Sequence, residues 1–240
     1  MTARTTLDPR RARLRPLLDE NSVADALASY YALHHPPDRA EVVIHPLDAN
    51  RADGFLVRAR TGLDLFRPLV TYRAPTEAVA VALFQAGLQL GRPVYLTVPE
   101  PLALWANKHL TVSDAALHRV YRFNANKYEP MLNVLAMMSA GPDGAPRCEI
   151  RSGGQVSAMA GVNWQTPRFA EVYVYTDPAV RGRGWGRSVV SAIAHQIVKA
   201  DRIPLYVVAE SNDASIRVAE AVGFEDTGLR EYVGYAVRNQ

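Results

Sequence analysis

Apolar positions fall along this chain in two recurring rhythms, one helical and one extended. After Thr76-Glu77, the residues Val79, Leu83, Ala86 and Leu90 recur at helical spacing, and Gly91 with Arg92-Pro93 supplies the cap and breaker that close such a helix. Val94 to Val98 then predicts a short strand, and Leu102 to Leu110 a further helix. The same order returns downstream. Gly186 opens a helix whose stripe of Val189/Val190, Ile193/Ala194 and Ile197/Val198 makes one amphipathic face. Asp201-Arg202-Ile203-Pro204 ends it, and Leu205 to Ala209 reads as the strand. The segments Pro93–Glu100 and Pro204–Glu210 align at an offset of 111 residues, which points to an internal duplication.

Between the copies, Arg147 to Arg151 and Gln155 to Gln165 flank Ser152-Gly153-Gly154, the signature of a β-hairpin. Phe169 to Thr176, rich in aromatic and β-branched residues, predicts the next strand, and Arg230 to Val237 a final one. The C-terminal half is thus expected to run β-β-β-α-β-α-β. The N-terminal half is expected to hold helices over about Arg11–Glu20 and Ser22–His34, strands near Glu41 and Gly54, and then the helix-strand-helix above. A boundary near Lys127 to Pro130 divides the chain into domains 1–128 and 129–240.

Composition narrows the class. At 240 residues the chain suits one large or two compact domains, at about 150 residues each. Apolar residues at 48% and charged ones at 21% describe a packed soluble protein and exclude a disordered chain, a collagen or a coiled coil. The longest apolar run, Ala78 to Phe84, is far too short to cross a bilayer, so no membrane partner is expected. Arginines near the N-terminus have no apolar segment behind them, which argues against a secretory signal. Cys148 is the one cysteine, so no disulfide framework or cysteine-rich zinc site is expected, and the compartment read from this is cytoplasmic. The six histidines show no ligand spacing, and no metal is expected.

The net charge of +3 resides in an arm. Arg4, Arg10, Arg11, Arg13 and Arg15 face only Asp8 in the first sixteen residues, and the remainder holds 22 of the 27 basic and 23 of the 24 acidic residues. A basic arm on a near-neutral body reads as a solvated tail, with no nucleic-acid partner.

The most informative segment is Asp177-Pro-Ala-Val-Arg181-Gly182-Arg183-Gly184-Trp185-Gly186-Arg187-Ser188, which lies between a strand and a helix. Alternating glycines permit positive φ and let backbone N–H groups converge without Cβ obstruction. A helix beginning there adds its unpaired N–H groups and the positive end of its dipole. Such a bend binds an anion, most naturally a phosphate or pyrophosphate; a purely structural glycine turn is the alternative. The phosphate loop of nucleotide triphosphatases needs Gly-Lys-Ser/Thr, whereas Gly186 precedes Arg187. The dinucleotide fingerprint G-x-G-x-x-G also differs from the G-x-G-x-G found here.

Arg181-x-x-Gly184-x-Gly186, preceded by Asp177-Pro178 at a strand end, resembles the acyl-CoA-binding loop of the GNAT superfamily of N-acyltransferases. Asn212-Asp-Ala-Ser215 through Gly223-Phe224 resembles that family's asparagine-to-Gly-Phe motif on the last helix. The resemblance covers roughly residues 145–240 and implies an α/β (α+β) fold. The C-terminal domain would be a GNAT fold with a mixed, mostly antiparallel sheet, preceded by a smaller, degenerate GNAT-like domain. In that first half, Val70-Thr-Tyr-Arg-Ala-Pro75 stands in place of a glycine loop, so it should not bind a second CoA.

The resemblance further implies acetyl-CoA, or another short acyl-CoA, as co-substrate. It would lie between the strands at Phe169–Thr176 and Pro204–Ala209, which splay apart. The backbone of Val174, Tyr175 and Thr176 would pair with the pantetheine arm. N–H groups from Arg181, Gly182, Arg183, Gly184, Trp185, Gly186, Arg187 and Ser188 would hold the pyrophosphate, with Asn212 and Ser215 on the far side. Asn212 is equally suited to cap a helix.

Transfer from a thioester to an amine sets three requirements. The amine must be neutral, although a free alkylamine titrates near pH ~10. The oxyanion needs a donor, which a backbone N–H near Val174 or Tyr175 would supply. The thiolate leaves more easily with an acid. Family members usually place a tyrosine for this seven residues after the motif asparagine; here that position is Ala219. A thiol pKa near 8.5 sits about 1.5 units above neutrality, or about 2 kcal/mol, so unassisted departure is slowed, not forbidden. Ser215, a water or a tyrosine from elsewhere are the substitutes.

Glu171, on the strand approaching the opening, is the candidate base; its other reading is a solvent-facing or ion-paired residue. Tyr173, the second candidate catalytic residue, and Tyr175 share its face by strand alternation and serve equally as wall residues. Trp164 is a candidate for lining the acceptor pocket, while Trp105 falls in the first half. A small-molecule amine is the expected acceptor, with a monomer or homodimer as the assembly. The alternative is a non-catalytic acyl-CoA-binding module or regulatory pseudoenzyme, for which the missing tyrosine at Ala219 is the support.

Overall fold

Pro16 interrupts the first of the two expected N-terminal helices: α1 spans only Pro9–Ala12, and Arg15–Leu17 is a single 3-10 turn. A proline inside the expected run removes a helical N–H and clashes with the preceding turn. The second expected helix forms in three pieces. Ser22 caps a 3-10 turn at Val23–Asp25, α2 follows at Ala26–Ser29, and a wider π turn completes it at Tyr30–His34. The computed structural model describes residues 9–46, 51–62, 64, 66–128, 130, 135–141 and 144–239. Arg4 and Asp8 of the basic arm, and residue 129 of the boundary segment, lie outside the described residues.

The chain divides into two compact units, Met1–Leu117 with Arg230–Gln240, and His118–Leu229. In the first unit, β1 (Ala40–His45), β2 (Gly54–Ala59) and β3 (Leu69–Arg73) form an antiparallel meander. Helix α3 (Glu77–Gly87), capped by Thr76, crosses over to β4 (Val94–Pro99), which lies parallel to β3. Helix α4 (Ala103–His109) follows. Period-two alternation gives this sheet two covered faces. Leu56, Val70, Tyr72 and Leu96 pack under Val79, Leu83 and Phe84 of α3, with Trp105 at the margin. Phe55, Val57, Ala59 and Leu69 meet Leu14, Ala28, Tyr31 and Leu33 of the N-terminal segment. Each large apolar side chain buried this way contributes about 1.5–3 kcal/mol. Leu90, expected on the α3 stripe, lies beyond the helix and is exposed.

Two long strands have residues in both units: β5 (Thr111–Phe123), and the last strand of the chain, Phe224–Val237. The second unit adds β6 (Met137–Ala140), β7 (Pro146–Ser152), β8 (Gln155–Gln165) and β9 (Phe169–Thr176). Helix α5 (Trp185–Lys199), β10 (Ile203–Ala209), α6 (Asp213–Val222) and the last strand, β11 (Phe224–Val237), complete the chain. The strand order in the second unit is β5-β10-β9-β8-β7-β6, antiparallel throughout except for β9 against β10. One face of this sheet, with Cys148, Ile150, Ala160, Val172, Tyr206 and Val208, receives Val189, Ile193 and Ile197 of α5 and Ile216 and Val222 of α6. Val198, read as part of the α5 stripe, is exposed.

The sequence did not signal β5 or β6, and β11 starts six residues before the expected Arg230. The first half of β5 is largely exposed and carries Asp114 at φ 51°, so no alternation marks it. Both units repeat one motif, a strand, a helix and a parallel strand, as the Pro93 and Pro204 segments suggest. No helix among the described residues is long and apolar enough to cross a membrane.

Candidate active site

Strands β9 and β10 pair only from Phe169↔Ile203 to Val172↔Tyr206. Beyond that point β9 continues along β8 as far as Thr176, and β10 continues along β5 as far as Ala209. The two strands are thus held by their outer neighbours while their inner edges part. Val174, Tyr175 and Thr176 pair with Ala160, Met159 and Ala158 of β8 on the outer side, leaving an inner edge free of β10. Such an edge is a ready template for an extended ligand.

The glycine-spaced bend follows directly. Asp177 accepts the Ala179 N–H at 2.8 Å and starts a 3-10 turn over Pro178–Val180. Gly182 and Gly184 take φ values of 81° and 75°, a region that L side chains enter at a penalty of about 1–2 kcal/mol. No atom lies within 4 Å of where a Cβ would stand at either, so the bend is open. Gly186 seats α5 against the end of β9, where a Cβ would meet Thr176 Oγ1 at 2.9 Å.

The N–H groups of Trp185, Gly186 and Arg187 open the helix and have no intrahelical acceptor. Ser188 is placed differently: its N–H and its buried hydroxyl both donate to Gly184 O, each at 3.1 Å, closing the first turn. Arg181, Arg183 and Arg187 are exposed, and no carboxylate pairs with them among the described residues. The Arg183 guanidinium lies 5.4 Å from the Trp185 ring centre.

Beside the divergence, Asn212 caps α6 by accepting the Ser215 N–H at 3.1 Å. Ser215 Oγ lies 2.8 Å from the hydroxyl of Tyr206, the last β10 residue paired with β9. Ala219, on the inner face of α6, is fully buried. Burial pushes the Tyr206 hydroxyl pKa up, opposed by its hydrogen bond to Ser215.

On the sheet face away from α5, β9 presents Glu171, Tyr173 and Tyr175, while Ala170, Val172 and Val174 pack toward α5. A bulge in β8 places Val162 opposite Val172 and Trp164 opposite Glu171, leaving Asn163 between them. Asn163 Nδ2 donates to Glu171 Oε1 at 2.8 Å. Burial raises the Glu171 pKa, while hydrogen bonds from Asn163 and Trp164 pull it down. The Tyr173 ring lies across Gly161 of β8, on the side away from β10. Tyr175 is exposed. Further along this face, Glu149 is buried between Arg147 and Arg151, at 2.6 and 2.9 Å.

The structure therefore brings the glycine bend, the inner edge of β9, Asn212 and Ser215 to one end of the parting strands, with Glu171 on the opposite sheet face. Sequence reading missed Asn163, Gly161 and Tyr206. Asn163 carried no signal: a polar residue between Val162 and Trp164 fits strand alternation, which hides the bulge that the register reveals. Tyr206 carried none, being one aromatic in a strand of apolar residues.

The first unit, taken by itself, repeats the divergence without the bend. Strands β3 and β4 pair only at Leu69↔Tyr95 and Val70↔Leu96. Two residues on, the buried Tyr72 donates to Leu102 O at 2.5 Å, spanning from β3 to the segment after β4. Arg73 is locked by Asp25 at 3.1 Å, Ala24 O at 3.0 Å and Tyr72 O at 3.0 Å.

Comparison with known proteins finds a family match and a shared fold. Residues 150–233 match the family model of FR47-like protein. The fold is that of a GCN5-related N-acetyltransferase from Kribbella flavida, with a TM-score of 0.64 over 89% of this chain and 95% of that one at 16% identity. A GNAT-family acetyltransferase from Colwellia psychrerythraea aligns with a TM-score of 0.57, over 96% of this chain and 98% of that one, at 13% identity. A tandem GNAT protein from the clavulanic acid biosynthesis pathway aligns with a TM-score of 0.62, over 97% and 94%, at 14% identity. No curated protein matches the sequence. The chain has the mixed α+β GNAT fold, and residues 150–233 carry the FR47-like match.

Proposed function

We propose that this protein is an N-acyltransferase that passes an acetyl group from acetyl-CoA to the amine of a small molecule, both substrates being bound at once. The observation that carries the reading is the bend at Gly182–Gly186. Its two positive-φ glycines leave open space, and among the described residues the first N–H groups of α5 find no acceptor and no carboxylate pairs with Arg181, Arg183 or Arg187. A diphosphate fits that setting, since charge-assisted hydrogen bonds contribute roughly 1.5–3 kcal/mol each.

The thioester supplies an activated carbonyl; the chain's own residues do the rest. Val174, Tyr175 and Thr176 pair along the inner edge of β9 with the extended arm, and a backbone N–H near Val174 or Tyr175 polarises the carbonyl. Gly182, Arg183, Gly184, Trp185, Gly186 and Arg187 hold the diphosphate, and Arg181 adds its charge. Glu171 takes the proton from the attacking amine. Its raised pKa brings the carboxylate nearer to the operating pH, which favours a general base. Tyr173 and Tyr175 wall the side from which the amine approaches.

Calorimetry with CoA and acetyl-CoA, followed by a thiol-release assay across a panel of amines, tests the reading. Micromolar binding and turnover are expected. Indifference to CoA at millimolar concentration overturns it. Binding with no thiol release would support the non-catalytic acyl-CoA-binding module, the reading favoured by the buried, apolar Ala219.

A further inference from the structure

We infer that Ser215 supplies the hydrogen bond that eases departure of the thiol, and that Tyr206 is the residue that aims it. The inference rests on the acyltransfer reading above and addresses the acid that Ala219 cannot provide.

The argument is an accounting of protons. Tyr206 is buried, its ring set among Tyr121, Val208 and Phe224, and its hydroxyl has one hydrogen-bond partner among the described residues, Ser215 Oγ at 2.8 Å. A buried phenol needs an acceptor for its proton. Were Ser215 the donor in this pair, the Tyr206 proton would be orphaned in the core, at about 1–3 kcal/mol. Tyr206 therefore donates, and Ser215 Oγ accepts. The Ser215 proton is then left to point elsewhere, and no acceptor for it stands among the described residues. Asn212 holds the Ser215 backbone by accepting its N–H, which fixes the first turn of α6 beside the hydroxyl pair. Tyr206 is also the last β10 residue paired with β9, so the pair stands where the strands begin to part. The outcome is a preset donor at the opening, half-exposed, backed by a buried one.

The chemistry balances without ionising either hydroxyl. As the new C–N bond forms and the C–S bond breaks, the bonding pair moves onto sulfur, which accepts the Ser215 hydrogen bond. The amine gives up one proton, and the departing thiolate takes one up from solvent. A full transfer from Ser215 would leave a buried tyrosinate, which burial disfavours.

The test uses the full chain, with Ser215→Ala, Ser215→Thr and Tyr206→Phe beside the wild type. Turnover is measured by thiol release, and CoA affinity by calorimetry. Ser215→Ala should lower kcat by roughly ten- to a hundredfold, the value of a hydrogen bond to a developing charge. Tyr206→Phe should lower kcat by roughly tenfold, one neutral hydrogen bond's worth of aim. Ser215→Thr, which keeps the hydroxyl, should retain most activity. CoA affinity should stay within about twofold throughout, since the diphosphate contacts of the bend are untouched. An active wild type with an equally active Ser215→Ala overturns this inference alone. So does a Tyr206→Phe loss matched by an equal loss of CoA affinity, which marks a structural role. A wild type that ignores CoA, or binds it and releases no thiol, overturns the acyltransfer reading and this inference with it.

Discussion

Gly161 of β8 lies directly beneath the phenol of Tyr173: a Cβ at position 161 would stand 2.7 Å from both Cε1 and the hydroxyl oxygen of that ring. The two residues are cross-strand partners, and the missing side chain is what lets the tyrosine fold back across its neighbour. This determines which way Tyr173 faces, toward β8 and away from β10. In the proposed acyltransfer reading, that orientation is the one by which Tyr173 would wall the acceptor side.

Gly161→Ala should therefore displace the ring. The expected stability loss is about 1–2 kcal/mol, read by urea unfolding, with a raised KM for the amine and unchanged CoA affinity. In the double variant Gly161→Ala/Tyr173→Ala, the penalty should be smaller than the sum of the two single ones. Strict additivity would show that the two groups do not touch in solution.

Gly184→Val should abolish CoA binding. Gly184 sits at φ 75° as the N-cap of α5, and a β-branched residue there is strained by about 1–3 kcal/mol. Circular dichroism should still report a folded protein with a lowered Tm, while calorimetry finds no CoA binding. Normal affinity in this variant would mean that the bend is not the diphosphate cradle.

Glu171 makes a stability prediction whose sign is fixed by its raised pKa. A carboxyl that titrates higher in the folded chain than in the unfolded one keeps its proton longer on folding. Stability is then lost as pH rises from about 4.3, the unfolded value, through the higher folded value, and stays lower above it. Glu171→Gln should remove that decline, so its Tm should exceed the wild type's at neutral pH while its turnover falls. Parallel Tm–pH curves for the two proteins would refute the shift.

Asp25→Ala should destabilise the first unit by about 2–4 kcal/mol, because it strands the largely buried Arg73 guanidinium. Burial works against the charged form of Arg73, and Asp25 is the strongest influence supporting it. CoA affinity should be unchanged, since Asp25 and the glycine bend fall in different units. A loss below about 0.5 kcal/mol would place the pair with ordinary surface ion pairs.

Local chemistry made much of this protein readable from its residues alone. Hairpin turn, glycine bend, helix cap and breaker are each specified within a few positions. Accordingly, the β7–β8 turn at Gly153-Gly154, the β9 strand at Phe169–Thr176, the bend at Gly182–Gly186 and the Asn212 cap all stand where the sequence put them. The long strands β5 and β11 were not legible over their full length, because the start of β5 is largely exposed, β11 has only Phe224 buried before Val233, and both keep their extended form through pairing with distant segments. Packing of Arg230–Gln240 with the first unit is likewise a long-range fact with no local mark. The same reason governs the site. Sequence could name Ser215 and Glu171 as candidates, but only the tertiary structure set Tyr206 against the first and the bulged Asn163 against the second. Asn163 meets Glu171 across the β8–β9 pair and Ser215 meets Tyr206 between α6 and β10; although each pair is close in sequence, the pairing depends on strand register and on the packing of helix against strand, which no local pattern encodes.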